Sequence, residues 1–214
     1  LPALAHRNRI KILKQKLAEE ILRAINLKRP ARIFNLGCGP ATELKELFGE
    51  SDLCEAADFT LLDFNEETIQ YTRSALHDVS QQFGRKLRVQ FLKKTVQQLL
   101  KEAAKPEKVT AEGQYDFLYC AGLFDYLSVN VCRQLMEVFY RQLAPGGLLL
   151  VTNVDGTRPF HNKLEFILDW NLIYRTAQEL AALKPDNVPA EMCRVYSDET
   201  SVNVFLEIRK PQNA

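Results

Sequence analysis

The sequence predicts an α/β fold: a doubly wound, mostly parallel seven-stranded sheet with an antiparallel last strand, preceded by an N-terminal helix. Three observations support this prediction. Strand-like and helix-like segments alternate along most of the chain, a Gly-x-Gly turn follows the first strand, and only five residues separate the last two strand-like segments. Helical crossovers connect parallel neighbours, whereas a five-residue connection gives an antiparallel pair.

The first predicted element is a long amphipathic helix. Apolar residues recur at helical spacing from Leu4 to Leu27, with lysines and arginines between them, and Pro30 follows. We therefore divide the chain into residues 1–29, an N-terminal helix that caps the domain or leads from a preceding segment, and residues 30–214, the domain itself. The chain begins with leucine rather than methionine, which fits a fragment of a longer protein as well as a whole one.

The sheet elements follow in chain order. The predicted strands are 32–36, 59–63, 87–92, 115–120, 148–154, 192–196 and 202–208, and the predicted helices are 41–48, 66–83, 95–104 and 130–143. A Pro-Gly-Gly segment, residues 145–147, is interpreted as the turn that introduces the fifth strand. The last two predicted strands, separated by residues 197–201, form an antiparallel terminal hairpin.

Composition narrows the class of protein. Of 214 residues, 46% are hydrophobic and 26% are charged, which is typical of one soluble globular domain. The net charge of +1 provides no field to attract polyanions, so nucleic acid is not an expected partner. No apolar run approaches the roughly 18 residues of a membrane span, and no signal peptide is evident. Five widely spaced cysteines without a CxxC pair favour free thiols in the cytoplasm over disulfides or a metal site. The oligomeric state stays open.

Two features at strand ends predict a nucleoside-binding site. Gly37 and Gly39 follow the first strand directly, where the backbone must turn sharply against a ligand. Asp63 ends the second strand, 22 residues beyond Ala41, at the distance from a glycine turn where a carboxylate accepts hydrogen bonds from ribose hydroxyls. Asp63 also precedes a helix and would fit an N-cap. Together with the glycine turn, the ribose role is favoured.

The spacing of the turn distinguishes between adenosine cofactors. A dinucleotide fingerprint would place a third glycine at position 42, which is Thr42, so a nicotinamide-dependent oxidoreductase is the less favoured hypothesis. The segment instead resembles the acidic-x-Gly-x-Gly-x-Gly pattern of class I methyltransferases, read at Asn35, Gly37, Gly39 and Ala41. Asn35 replaces the usual carboxylate and supplies no charge for the methionine ammonium of the cofactor. Ala41 replaces the third glycine.

The resemblance extends over residues 30 to 209, through segments 115–123 and 143–151. It implies S-adenosylmethionine as the cofactor and S-adenosylhomocysteine as the product. At the third strand this sequence lacks the acidic residue that often contacts adenine, which leaves backbone groups near Thr95 and packing by Val96; Lys93 and Lys94 are interpreted as solvated loop cations. The residues expected to contact the cofactor are Asn35, Gly37, Cys38, Gly39, Pro40, Asp63, Phe64, Thr95, Val96, Cys120, Ala121 and Gly122.

Two stretches, 119–127 and 168–175, are similar to bacterial methyltransferase domains linked to synthesis of 3-hydroxy fatty-acid methyl esters. This similarity implies carboxyl O-methylation of a small or lipid-like acceptor. Arginines could bind its carboxylate and aromatic side chains could line its channel, although a salt bridge or core packing is the alternative for each. The residues expected to contact the acceptor are Asn153, Asp155, Arg158, Trp170, Tyr174 and Arg175.

Methyl transfer from a sulfonium mainly requires that the acceptor be held in line. A carboxylate acceptor needs no general base, whereas an amine or hydroxyl acceptor would use Tyr126, Asp125 or His161. A second hypothesis from the sequence is a non-catalytic module that binds the cofactor as a sensor or regulatory part of a longer protein.

Overall fold

Seven strands form one mixed sheet in the part of the chain that the computed structural model describes, residues 2–105, 114–156 and 172–212. The strands are β1 Ala31–Leu36, β2 Ala57–Asp63, β3 Arg88–Lys93, β4 Tyr115–Cys120, β5 Leu143–Val154, β6 Cys193–Ser197 and β7 Asn203–Arg209. Their order is β3-β2-β1-β4-β5-β7-β6. Neighbours from β3 to β5 are parallel, and β7 is antiparallel to β5 and β6. The predicted fold class is confirmed.

Helices cover both faces of the sheet. They are α1 Pro2–Asn26, α2 Thr42–Glu50, α3 Glu66–Phe83, α4 Val96–Ala103, α5 Val129–Gln142 and α6 Ala177–Ala181. Helices α1, α2 and α3 pack on one face, in a core that contains the fully buried Phe48. Helices α4, α5 and α6 pack on the other face, in a core that contains the fully buried Leu135. Adjacent residues of a strand contribute to opposite cores, as Ile33 and Phe34 do in β1. In the described part of the chain, no helix has the length and apolar content that crossing a membrane requires.

Helix α1 packs along the first face of the sheet from one edge to the other. Two side chains of this helix, Leu17 and Ile21, are completely buried in the core on this face. Near its end, the Glu20 carboxylate accepts hydrogen bonds from Arg209 at the last residue of β7. At its start, the Asn203 side chain donates to the carbonyl of Ala5 at 2.9 Å. Because Asn203 pairs with the last residue of β5, the first turns of α1 lie at the edge where the parallel strands end.

Strand β5 begins earlier than the sequence predicts. The Pro-Gly-Gly segment at 145–147, interpreted above as a turn, is part of the strand, and the register with β4 shifts beside it. A Cβ on Gly147 would lie 2.8 Å from the carbonyl oxygen of Tyr115. The glycine is therefore needed for close approach of two strands, and that use cannot be distinguished from a turn by local sequence.

A buried carboxylate holds the opposite edge of the sheet together. Asp116, at the start of β4, is fully buried and accepts two hydrogen bonds of 2.6 Å from the guanidinium of Arg29. It also accepts from the backbone N–H of Arg32 at 2.9 Å and from Arg23 at 3.3 Å. These contacts fix the start of β1 beside β4, so the carboxyl ends of both strands reach the other edge in register.

Candidate active site

The glycine turn connects the end of β1 to α2. Gly37 and Gly39 have φ angles of +68° and +50°, and the N–H of Gly37 donates to the carbonyl of Leu62 at 2.8 Å. A Cβ on Gly39 would meet no atom within 4 Å, whereas one on Gly37 would lie 3.3 Å from the side chain of Leu123. Ala41, in place of the third glycine, also has a positive φ of 45°. The left-handed backbone explains why this pattern favours glycine.

Asp63 binds this turn directly. Its Oδ2 accepts a hydrogen bond from the N–H of Gly39 at 3.1 Å, and its Oδ1 accepts from the N–H of Asn65 at 3.0 Å. The N-cap of α3 is Asn65, whose side chain accepts from the backbone N–H groups of residues 67 and 68. The alternative N-cap role for Asp63 is therefore taken by Asn65. Each carboxylate oxygen of Asp63 keeps a second lone pair for a ligand hydroxyl.

A cavity of about 470 Å³ opens between the ends of β1, β2 and β4. Its walls are mostly apolar, and the carboxylate of Asp63 lies among them. The strand order reverses between β1 and β4, which is where open α/β sheets bind ligands. The lining residues are Leu36, Gly37, Gly39, Leu62, Asp63, Phe64, Lys94, Val96, Gly122, Leu123 and Tyr126. An apolar cavity beside a hydroxyl-binding carboxylate suits a nucleoside.

A second cavity of about 200 Å³ lies on the other side of the glycine turn. It shares Gly37, Gly39 and Gly122 with the larger one. Its other lining residues come from the start of α1, the end of β1, the glycine turn, the start of α2 and the end of β4; they are His6, Arg9, Ile10, Leu13, Asn35, Cys38, Pro40, Ala41, Thr42, Glu43, Tyr119 and Ala121. The two cavities together give room for a nucleoside with a polar extension.

The smaller cavity contains charged and polar groups within a buried setting. Glu43 is 7% exposed, and burial raises the pKa of its carboxyl group, opposed by a hydrogen bond from Tyr119 and by Arg9. Burial, together with Asp63 and Glu43, raises the pKa of the Cys38 thiol to about 12. Cys38 is therefore protonated at neutral pH and presents an apolar surface rather than a nucleophile.

The structure brings together ten of the twelve residues expected to contact the cofactor. These line one or both cavities: Asn35, Gly37, Cys38, Gly39, Pro40, Asp63, Phe64, Val96, Ala121 and Gly122. The side chains of the other two have structural roles instead. Thr95 is the N-cap of α4, in a reciprocal capping box with Gln98, and Cys120 is fully buried in the core against Cys132. The expectation for Thr95 concerns backbone groups near it, and the cofactor contacts of Thr95 and Cys120 stay predictions.

The candidate bases differ in their surroundings. Asp125 is 3% exposed, and its Oδ1 accepts a hydrogen bond of 2.7 Å from the N–H of Val154. Burial raises the pKa of Asp125, and its side chain lines neither cavity, so its contacts are structural. Tyr126 lines the larger cavity and is 52% exposed. Burial of its hydroxyl and the nearby Asp125 raise the pKa of Tyr126. His161 lies outside the described residues.

Two of the residues expected to contact the acceptor have structural roles instead. Arg175 is 3% exposed and donates to the carbonyls of Phe124 and Leu127 at 2.7 and 2.5 Å. It also donates to Oδ1 of Asn153 at 2.6 Å, and the amide nitrogen of Asn153 donates to the carbonyl of Ile173. These bonds tie the segment after β4 to the end of β5. These polar groups are used inside the fold, and the acceptor contacts of both residues stay predictions.

The remaining acceptor candidates lie near the end of β5 or outside the described residues. The N–H of Asp155 donates to the carbonyl of Val202 at 2.8 Å, and Tyr174 packs beside Gly156. Neither Asp155 nor Tyr174 lines the two cavities. Their acceptor contacts stay predictions, and Arg158 and Trp170 lie outside the described residues.

Several lining residues were not predicted from the sequence. Lys94, interpreted as a solvated loop cation, lines the larger cavity while its Nζ pairs with Glu102 at 2.7 Å. Its position directly after β3 was the available signal. Leu36 and Leu62 end two parallel strands and could have been found from that position. Arg9 and its neighbours on α1 carry no local signal, because only the packing of the helix brings them to the site.

The fold and the site together define an α/β domain that binds a nucleoside cofactor at the carboxyl edge of its sheet. A family model for a methyltransferase domain matches residues 27–201. The chain therefore belongs to this methyltransferase family, and S-adenosylmethionine is its cofactor. The residues present fit that molecule, since the cavities combine a hydroxyl-binding carboxylate, an apolar slot and a polar extension.

Solved structures agree with the fold. A "possible exported protein" from Bordetella parapertussis has a TM-score of 0.68 at 20% identity, over 99% of this chain and 70% of that one. An O-methyltransferase family protein from Burkholderia thailandensis has a TM-score of 0.66 at 14% identity, over 95% and 57%. The magnesium protoporphyrin IX methyltransferase of Synechocystis, solved with S-adenosylhomocysteine, has a TM-score of 0.62 at 14% identity, over 96% of this chain and 85% of that one. No curated protein matches the sequence.

Proposed function

We propose that this methyltransferase transfers the methyl group to a carboxylate oxygen of a small, lipid-like acceptor. Asp63 accepts hydrogen bonds from the ribose hydroxyls, the apolar slot that includes Val96 and Leu123 takes the adenine, and the smaller cavity takes the methionine end. The hydrogen bond between Asp63 and Gly39 beside the larger cavity supports this arrangement. The methyl group then faces the carboxyl end of β4, where the acceptor binds.

The acceptor class follows from the ionisation of the groups beside that strand end. Tyr126 has a raised pKa and is protonated at neutral pH. Asp125 points its carboxylate at the backbone of β5. Neither of these two suits proton removal from an acceptor. A fatty-acid carboxyl group is already ionised at neutral pH, because its pKa lies roughly 3 units below pH 7. The mismatch between Tyr126 and Asp125, the two candidate bases within the described residues, and a protonated acceptor is the observation that carries the proposal.

The reaction then demands positioning rather than proton transfer. Bound S-adenosylmethionine supplies an activated methyl carbon: the carboxylate oxygen forms a bond to it while the carbon–sulfur bond breaks and its electron pair stays on sulfur. The products are a methyl ester and S-adenosylhomocysteine, and no proton moves. The protein contributes by holding both reactants in line and by excluding water from the closed part of the site.

The rim of the larger cavity supports a lipid-like acceptor. Phe64 is 64% exposed and Tyr126 is 52% exposed, although both side chains are large and largely apolar. Exposed aromatic side chains beside a ligand cavity are favourable contacts for an apolar chain. The similarity of residues 119–127 to domains linked to fatty-acid methyl esters points to the same acceptor class.

The test uses purified protein, S-adenosylmethionine and matched acceptors: a 3-hydroxy fatty acid and its primary amide, which has no carboxylate. We expect the acid to gain one methyl group by mass, with equal release of S-adenosylhomocysteine, and the amide to gain none. Mild alkali should remove the added methyl, because an ester hydrolyses and an ether does not. With saturating cofactor, the rate should stay flat from about pH 6 to 9, above the carboxyl pKa.

Tyr126→Phe provides the matched variant, because it removes the hydroxyl and keeps the ring. Without a general-base role, kcat should stay within about threefold of wild type, whereas loss of a base costs roughly 100-fold or more. An alkali-stable methyl group, or a rate at saturating cofactor that rises steadily with pH, would refute a carboxylate acceptor. Cofactor binding without any S-adenosylhomocysteine release across a cell-extract acceptor pool would instead support the sensor hypothesis.

A further inference from the structure

The smaller cavity carries a negative group that the motif position itself lacks. Asn35, at the position where the family pattern has an acid, donates from its Nδ2 to Oε1 of Glu43 at 3.3 Å. The hydroxyl of Tyr119 donates to the same oxygen at 2.8 Å. Glu43 is in the first turn of α2, eight residues after Asn35, and is 7% exposed. A carboxylate therefore lies directly behind the asparagine.

Asn35 also presents an unused acceptor. Its Oδ1 is buried and accepts no hydrogen bond from any residue in the described ranges. Because Nδ2 is turned towards Glu43, Oδ1 is turned away from it. A buried carbonyl oxygen without a donor is costly, by about 1–3 kcal/mol. A ligand with N–H donors would remove that cost, and a cationic donor would gain further from Glu43.

A cation lies on another wall of the same cavity. The guanidinium of Arg9, in α1, is within 3.4 Å of the position that a Cβ on Gly122 would occupy. No carboxylate of the described chain forms an ion pair with it. His6, one turn earlier, contacts it at 3.2 Å, and burial and Arg9 lower the pKa of His6. Arg9 therefore faces the cavity as the positive group of this wall.

We propose that Glu43, through Asn35, binds the ammonium group of the cofactor's methionine end and that Arg9 binds its carboxylate. An amino-acid end carries both charges on one carbon, and this cavity of about 200 Å³ has one group of each sign on its walls. Helix α1 then belongs to the cofactor site, although the family match begins at residue 27. The inference rests on the cofactor site proposed above and extends it to the residues that recognise the methionine end.

The ionisation of Glu43 gives this arrangement a pH signature. The groups that face Glu43 are Tyr119 from β4, Arg9 from α1, Asn35 from β1, the Cys38 thiol of the glycine turn and, on α2 itself, Glu46. Burial raises the pKa of Glu43 in the free protein. A bound ammonium group favours the ionised form of Glu43, so ligand binding releases a proton from this carboxyl group. The affinity for the ligand should therefore rise with pH until Glu43 is ionised in the free protein as well.

The test compares three ligands by calorimetry at about pH 7.5. S-adenosylhomocysteine has both charges, its decarboxylated analogue has only the ammonium, and 5′-methylthioadenosine has neither. Glu43→Gln keeps an amide oxygen where Oε1 accepts both hydrogen bonds, and it removes only the charge. This variant should lower the affinity for the first two ligands by about tenfold or more and change the affinity for the third by less than about twofold. Its affinity for S-adenosylhomocysteine should also lose the wild-type rise with pH.

Arg9→Gln should weaken S-adenosylhomocysteine alone by about tenfold or more. Matched controls are Glu46→Gln, one turn along α2, and Arg7→Gln, on the exposed side of α1. Equal weakening of all three ligands, or unchanged binding of S-adenosylhomocysteine in both variants, would overturn the inference. If the wild-type protein binds 5′-methylthioadenosine as tightly as S-adenosylhomocysteine, the inference about the methionine end is overturned. The nucleoside site would still be supported by that result. Wild type that binds none of the three would refute the cofactor site itself.

Discussion

The carboxylate of Asp63 gives the sharpest test of the nucleoside site. In Asp63→Ala the ribose hydroxyls lose a charged acceptor, and such hydrogen bonds contribute about 1.5–3 kcal/mol each. The loss of one corresponds to a Kd for S-adenosylhomocysteine that is roughly 10- to 140-fold weaker. The same change leaves the N–H groups of Gly39 and Asn65 without their acceptor. Gly39 lines both cavities and Asn65 is exposed, so water can replace the carboxylate at both N–H groups. The free energy of unfolding should therefore fall by less than about 3 kcal/mol.

Calorimetry with two ligands separates the ribose contact from a general loosening of the turn. Wild type should bind S-adenosylhomocysteine more tightly than its 2′-deoxy analogue, and Asp63→Ala should bind the two alike. Asp58→Ala is the matched control, because this β2 carboxylate is 49% exposed, pairs with Arg88 and lies away from the cavities. A surface pair contributes at most about 1 kcal/mol, so the control should bind as wild type does.

Two results would refute the reasoning. A folded Asp63→Ala protein with wild-type affinity would show that the carboxylate does not contact the ligand. A variant that still prefers the ribose ligand over the 2′-deoxy ligand by the wild-type factor would show that the lost affinity comes from the turn rather than from the hydroxyl. Far-UV circular dichroism and urea unfolding establish that each variant is folded before binding is compared.

Two further predictions concern buried charges. Arg175→Gln leaves the carbonyls of Phe124 and Leu127 without a charged donor, so urea unfolding should show a loss of roughly 2–5 kcal/mol with KM unchanged; a raised KM at unchanged stability would restore an acceptor role. For Asp116, burial alone would raise the pKa, but the contacts with Arg29 outweigh it and hold the pKa below the ordinary aspartate value of 3.8. This stabilisation is complete above that value and is lost as pH falls through the folded pKa, so wild type should lose stability in acid. Asp116→Asn should be roughly 3–5 kcal/mol less stable at neutral pH and less sensitive to acid; parallel stability–pH curves would contradict this.

The sequence predicts elements well where local chemistry determines their ends. Helix α3 has the predicted bounds, since Asn65 caps its start and Gly84, with a φ of +65°, ends it. The predicted start of β5 is wrong because distant rather than local chemistry determines it. Proline and two glycines are typical of a turn, but here Gly147 is required because a neighbouring strand approaches within contact distance of its Cα. That neighbour is distant in sequence and leaves no local pattern.

The same distinction applies to the site. The glycine turn follows β1 directly and Asp63 ends β2, so strand assignment alone places them at one edge of the sheet. Arg175 and Asn153 also lie close to that edge, but Arg175 donates to backbone carbonyls after β4 and Asn153 donates to the carbonyl of Ile173. Residue type alone does not predict such bonds. Arg9 reaches Gly122 only because the start of α1 lies at the edge where the parallel strands end. An amphipathic pattern predicts that helix without predicting where its first turns lie.

The two departures from the family pattern have different physical consequences. At position 41, alanine in a left-handed conformation costs about 1–2 kcal/mol relative to glycine. Its methyl group is 1% exposed in the core beside Leu44, and burial of one methyl returns about 0.8 kcal/mol, so the substitution is nearly neutral for the fold. At position 35, asparagine removes a charge that packing cannot replace. Only a second carboxylate within hydrogen-bond reach can do so, and Glu43 has that position because α2 begins directly after the turn. A motif that looks weakened when read one letter at a time is therefore complete when its hydrogen-bonded partner is included.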